Sequence, residues 1–170
     1  MRVLFTKDQI DLQVLRLAEE IRIDYRDTRP ILIGILKGCF IFMSDLVKNL
    51  NIDLEIDFMV TKSYVNTHTT GKLQVVLDCS SEIKGRHVII VEDIIDTGLT
   101  IRVIKEGLAI RGPESIRVCT LIEKPGPLKA EYVGFRCLNN EFVVGYGLDY
   151  NGQYRNLQDI YIYKDREPQT

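Results

Sequence analysis

Apolar positions fall into two periods along this chain. From Ile10 they recur at Val14, Leu17 and Ile21, spacings of four, three and four that put them on one face of a helix. Thr6 and Gln9 match a capping box at its start, and the helix is expected to end before "TRP" (28–30). "ILIGIL" (31–36) is a continuous aliphatic run, the mark of a strand covered on both faces. "FIFMSDLVKNL" (40–50) predicts a helix, and "LEIDFMV" (54–60) a second strand with rough alternation. A polar stretch, "TKSYVNTHTTGK" (61–72), separates it from "LQVVLD" (73–78). "HVIIVED" (87–93) predicts a third buried strand. Ile101, Ile104 and Leu108 then form a helical stripe that stops at Gly112-Pro113. "SIRVCTLI" (115–122) is another strand, and "EFVVGYGLDY" (141–150) a further one with a trailing loop. Strands alternating with helices predict an α/β fold: a mainly parallel central sheet flanked by helices, in a single domain over residues 1–170.

Composition narrows what such a fold does. With 170 residues, 45% hydrophobic and 27% charged, the chain is long enough to bury a substantial core. A net charge of -2 gives no basic field for nucleic acid. No apolar stretch is long enough to span a bilayer, and "MRVLFTKDQIDLQ" turns polar too soon for a signal peptide. Cys39, Cys79, Cys119 and Cys137 are widely spaced, with only His68 and His87 beside them, so a zinc site is not expected. Free thiols in a reducing cytoplasm are the expectation.

The chemistry concentrates in "VIIVEDIIDTGLT" (88–100), where an aliphatic run meets three carboxylates and then a hydroxyl-rich turn. Ligands of open α/β sheets bind outside the carboxyl ends of the strands. Glu92 and Asp93 are too costly to bury unpaired, so they are expected to emerge there. Asp96-Thr97-Gly98-Leu99-Thr100 forms the turn into the next helix, with Gly98 permitting unusual dihedrals and close approach of a ligand. Amides at the helix start, with the Thr97 and Thr100 hydroxyls, make a cup for an anion. GxxxxGK[ST] does not occur, so the cup suits one phosphate monoester rather than a triphosphate. Carboxylates beside it suit sugar hydroxyls or Mg2+. Taken singly, each residue reads as a helix cap or a solvated charge; in sequence they supply the parts needed for a ribose 5-phosphate.

"VIIVEDIIDTGLT" closely resembles the phosphoribosyl pyrophosphate motif of type I phosphoribosyltransferases, in their hypoxanthine-guanine branch. "LKGCFIFMSDL", "KSYVNTHTTGK", "LIEKPGP" and "FVVGYGLDYNGQYRNL" follow in the family's order. The resemblance implies a small hood built from the termini over the parallel sheet, and transfer of phosphoribosyl from phosphoribosyl pyrophosphate to N9 of hypoxanthine or guanine. By resemblance, Asp96 is the general acid/base at the purine N7, and crowding by two neighbouring acids is expected to raise its proton affinity. Glu92 and Asp93 lie at the ribose hydroxyls, and with Asp149 near magnesium. Asp96, Thr97, Gly98, Leu99 and Thr100 hold the phosphate. Lys37 and Gly38 form the pyrophosphate loop with Arg155 as a further ligand. Lys124 donates to O6 of the base, Phe142 stacks on it, and Val143 and Asp149 border it. Ser63 and Tyr64 belong to a lid that keeps water from the reacting centre.

Two departures from the family pattern matter. Leu99 stands where some members carry lysine, and "PGPLKAE" (125–131) is shorter than in several relatives, which leaves the ranking of hypoxanthine, guanine and xanthine open. The competing readings are a nucleotide-sensing relative that binds RNA, which the charge opposes, and a phosphoribosyltransferase for another base, which Lys124 with Phe142 opposes for adenine. The resemblance also implies Mg2+, small-molecule substrates and a homodimer or homotetramer.

Overall fold

The computed structural model describes residues 1–66, 69–137 and 141–164. In chain order the elements are β1 (Arg2–Phe5), α1 (Lys7–Tyr25), β2 (Ile31–Leu36), α2 (Phe40–Leu50), β3 (Glu55–Asn66), β4 (Thr69–Leu77), β5 (His87–Ile95), α3 (Leu99–Ala109), β6 (Ser115–Glu123), β7 (Tyr132–Arg136), β8 (Val143–Val144) and β9 (Ile160–Ile162). Six strands form a sheet in the order β4-β3-β2-β5-β6-β7, parallel throughout except for the antiparallel β3–β4 pair. β1, β9 and β8 form a separate antiparallel sheet from the two ends of the chain, the expected hood.

The period-two pattern of β2 and β5 divides the core into two layers. Leu32, Ile89 and Val91 face α1 and α2, packing with Val14, Leu17, Ile21, Phe42 and Leu46. Ile31, Ile33, Ile35, Val88 and Ile90 face the other way, onto Ile101, Ile104 and Leu108 of α3. Each of these aliphatic side chains contributes about 1.5–3 kcal/mol on full burial, which is why unbroken aliphatic runs form the central strands. The capping box is present as expected: Thr6 Oγ1 accepts from the Gln9 amide, and Gln9 Oε1 accepts from the Thr6 amide.

The pattern misjudged three places. The polar stretch 61–72 does not separate two strands; β3 runs through it to Asn66 and pairs with β4 as a hairpin. "EFVVGYGLDY" holds only two strand residues, because Gly145, Tyr146 and Gly147 all have positive φ (101°, 52° and 99°), which no strand continues. β1, β7 and β9 escaped notice; each is five residues or fewer, and depends on a distant partner. None of the described helices is long and apolar enough to cross a membrane. The four cysteines are free, three of them buried.

Candidate active site

β5 runs two residues further than expected, to Ile95, because its pairing with β6 continues to Ile95↔Glu123. Glu92 and Asp93 therefore do not emerge from the strand; they lie inside it, 9% and 7% exposed. Glu92 Oε2 has no hydrogen-bond partner, while Asp93 Oδ1 accepts from the Ile94 amide at 2.8 Å. Burial lifts the Glu92 carboxyl well above the ordinary range, and the neighbouring Asp93 charge adds to it. Burial raises Asp93 as well, opposed by its hydrogen bonding with Glu92, by the amide it accepts from and by the Arg155 charge. The two acids expected to crowd Asp96 are thus themselves enclosed by the strand. Asp96 itself points outward, its side chain 61% exposed.

The turn after Asp96 is built as the sequence suggests. Gly98 has φ 78° and caps α3, a conformation glycine adopts without a Cβ penalty. A methyl group there would also meet Leu128 Cβ at 2.6 Å. The Leu99 amide donates to Thr97 Oγ1 at 3.4 Å, and the Arg102 amide donates to the Gly98 carbonyl. A cavity of about 230 Å³ gathers Glu92, Asp93, Asp96, Thr97, Gly98, Leu99 and Thr100 with Gly38 and Thr61. Unsatisfied amides at an α-helix start carry partial positive charge, so this end of the cavity favours an anion.

The loop after β2 closes the cavity from the other side. The Leu36–Lys37 peptide is cis. Gly38 packs so tightly on Asp93 that a Cβ would lie 1.8 Å from Oδ2. Behind it, a Cβ on Gly147 would lie 2.1 Å from the Gly38 carbonyl. Gly38 thus packs the β2–α2 loop on the Asp93 side chain of β5, and Gly147 brings the segment after β8 against the backbone of that loop, an interlock that sequence spacing alone did not disclose. Arg155 donates to the Gly147 carbonyl and pairs with Asp149 at 2.5 Å, so two residues read separately form one unit. Asp149 Oδ2 also accepts from the Gly152 amide.

Lys124 is 7% exposed, at the start of the loop after β6. Its amide donates to the Ile95 carbonyl, and its Nζ lies 3.5 Å from Asp96 Oδ2. It also lines an apolar cavity of about 260 Å³ with Leu4, Phe5, Ile122 and Val143. Val143 is buried in β8, but Phe142 is half exposed, its ring edge-on to Tyr150 and Tyr163 rather than sunk in the core. Ser63 and Tyr64 lie in β3, paired with Leu73 and Lys72 of β4; their side chains fall outside the described residues. Buried Glu123, which pattern reading passed over, holds the return of the Lys124 loop. Its carboxylate accepts from the Ala130 amide at 2.9 Å and pairs with Lys129 and Arg136 at 3.3 Å. Among the described residues no three His, Cys, Asp or Glu side chains group to hold a metal by themselves.

This geometry has close counterparts. A family described as the phosphoribosyl transferase domain matches residues 5–151. The hypoxanthine-guanine phosphoribosyltransferase of Bacillus subtilis is 42% identical over 168 residues, covering 96% of this chain and 93% of that protein. The hypoxanthine-guanine-xanthine phosphoribosyltransferase of Tritrichomonas foetus is 41% identical over 169 residues, covering 96% and 92%. A hypoxanthine phosphoribosyltransferase from Staphylococcus aureus superposes with a TM-score of 0.90 at 41% identity, over 96% of this chain and 91% of that one. Sequence and fold agree over nearly the whole length, and the chain belongs to the phosphoribosyltransferase family, in its hypoxanthine-guanine branch.

Proposed function

We propose that the protein joins hypoxanthine or guanine to phosphoribosyl pyrophosphate through N9, releasing pyrophosphate and the nucleoside monophosphate, as a salvage enzyme. One observation carries this reading: a buried acidic pair, an exposed aspartate, a helix start and a buried lysine converge at the carboxyl end of β5. Amides of Gly98, Leu99 and Thr100, with the Thr97 and Thr100 hydroxyls, receive the 5′-phosphate. Glu92 and Asp93 meet the ribose hydroxyls. Asp96, exposed toward the cavity mouth, moves the proton at N7 of the base. Lys124 donates to O6, Phe142 stacks on the ring, and Val143 with Asp149 borders its edge.

As the ribose becomes cationic, charge builds on the departing pyrophosphate, where the Lys37–Gly38 loop and Arg155 receive it. Ser63 and Tyr64, on the β3–β4 hairpin, close over the reacting centre against water. Hard carboxylate oxygens, one of them unpartnered, suit Mg2+, which takes one or two protein carboxylates and completes its shell with substrate oxygens. Asp149 on one side, or the Glu92 and Asp93 pair on the other, would supply those carboxylates, and the ion would neutralise pyrophosphate charge. The family also points to a homodimer or homotetramer acting in the cytoplasm, with no nucleic-acid or membrane partner; light scattering measures the first.

The direct test is pyrophosphate release from phosphoribosyl pyrophosphate and Mg2+ with hypoxanthine, guanine, xanthine, adenine and uracil supplied separately. Turnover confined to 6-oxopurines supports the assignment. Turnover with adenine or uracil alone, or with none, refutes it.

A further inference from the structure

The proposed phosphate cup has a charge problem. Thr97, Gly98, Leu99 and Thr100 carry no cationic side chain, and Glu92, Asp93 and Asp96 line the same cavity, so a phosphate dianion would enter beside three carboxyls. Lys124 is already next to Asp96. The same turn residues Thr97, Gly98 and Leu99 also line a second, wider cavity of about 540 Å³, completed by Arg102, Pro127 and Leu128.

Arg102 differs from the other arginines described. Arg2, Arg16, Arg22, Arg26, Arg29, Arg86, Arg111, Arg117, Arg136 and Arg155 all form ion pairs. Among the described residues Arg102 alone has a guanidinium with no ion pair and no hydrogen bond; even Glu106, one turn further along α3, does not engage it. Helical side chains project back toward the N-terminus, over the residues three and four positions earlier. For Arg102 those are Leu99 and Gly98, the residues of the cup, and the Arg102 amide bonds the Gly98 carbonyl.

We infer that Arg102 is a substrate-binding residue that covers the 5′-phosphate from the solvent side and supplies the cation missing from the turn itself. This rests on the functional reading above. A guanidinium presents paired donors in a planar fork that fit phosphate oxygens bidentately. Leaving it unpaired in the free protein keeps it available, with no internal partner to displace.

The test compares two ligands that differ only in the phosphate. Calorimetry measures inosine monophosphate and inosine on wild type, Arg102→Ala and Arg102→Lys, with KM for phosphoribosyl pyrophosphate alongside. Arg102→Ala is expected to weaken inosine monophosphate and raise that KM about 10-fold, the factor equivalent to ~1.4 kcal/mol, with a smaller effect on kcat. Inosine affinity is expected to stay within twofold, and Arg102→Lys to fall in between. Unchanged monophosphate affinity in Arg102→Ala overturns the inference, and so does an equal loss for inosine. Failure of the functional reading shows separately, in wild-type protein that releases no pyrophosphate and binds no monophosphate.

Discussion

Gly38 offers a steric test of how the site is assembled. Its φ is not positive, so alanine there meets no backbone penalty. The added methyl, however, would sit 1.8 Å from Asp93 Oδ2 and 2.5 Å from its Cγ, where carbon atoms need about 3.5 Å. Something must yield by more than an ångström. Asp93 is buried and held by the Ile94 amide, so it cannot swing into water without giving up that bond. Overpacking costs roughly 1–3 kcal/mol, and an unmade bond to a buried group about 1–3 kcal/mol more. Gly38→Ala is therefore expected to destabilise the protein by about 2–6 kcal/mol. At this chain length that lowers Tm by about 4–24 °C. The assay is a double-mutant cycle by thermal and urea denaturation with Asp93→Ala, which removes the obstructing carboxyl. Most of the Gly38→Ala cost should vanish in the Asp93→Ala background. Equal destabilisation in both backgrounds would refute the reasoning, because the strain would then not lie between Gly38 and Asp93.

Three further outcomes can be checked. Asp96→Asn should lower kcat by about 10²–10⁴-fold, the scale of lost acid/base catalysis, with phosphoribosyl pyrophosphate binding largely kept; unchanged turnover removes the role. Lys124→Ala should reduce kcat/KM for hypoxanthine by more than any drop in Tm explains, and matched losses would make Lys124 a structural residue. Glu92→Gln bears on pH. Burial raises the Glu92 carboxyl in the folded state, so its favourable share of stability is complete below the unfolded value of about 4.3 and is lost as pH rises through the higher folded value. A permanently neutral glutamine escapes that decline, so the variant should gain on wild type in urea denaturation at pH 8 relative to pH 4. The opposite trend would mean that Glu92 is stabilised as an anion.

What the sequence disclosed depended on how locally each feature is determined. The capping box at Thr6 and Gln9, the aliphatic runs of β2 and β5, and the α3 stripe are set by neighbours a few residues away, and all stand as read. β7 is different: "YVGFR" has no pattern of its own, and only glycine fits at 134 because a side chain there would meet the Leu121 carbonyl at 2.6 Å. The burial of Glu92 and Asp93 ran against the desolvation argument, because β5–β6 pairing and the Gly38 loop together enclose a strand end that would otherwise open to water. The order of chemical groups in "EDIIDTGLT" was readable. The Arg155–Asp149 pairing and the Gly38–Gly147 contact arise from separate segments meeting in space, and no local pattern encodes them.

The 3.5 Å approach of Lys124 to Asp96 makes the protein its own competitor for the base. On the proposed roles, a 6-oxopurine exchanges this internal contact for two new ones, O6 to the lysine and N7 to the aspartate. Net affinity is the difference between the two states. Adenine could reward only the aspartate and would leave the lysine facing an amino group, so the exchange runs uphill and the resting pair re-forms. Discrimination would then come from what the empty site already holds as much as from what the bound site gains.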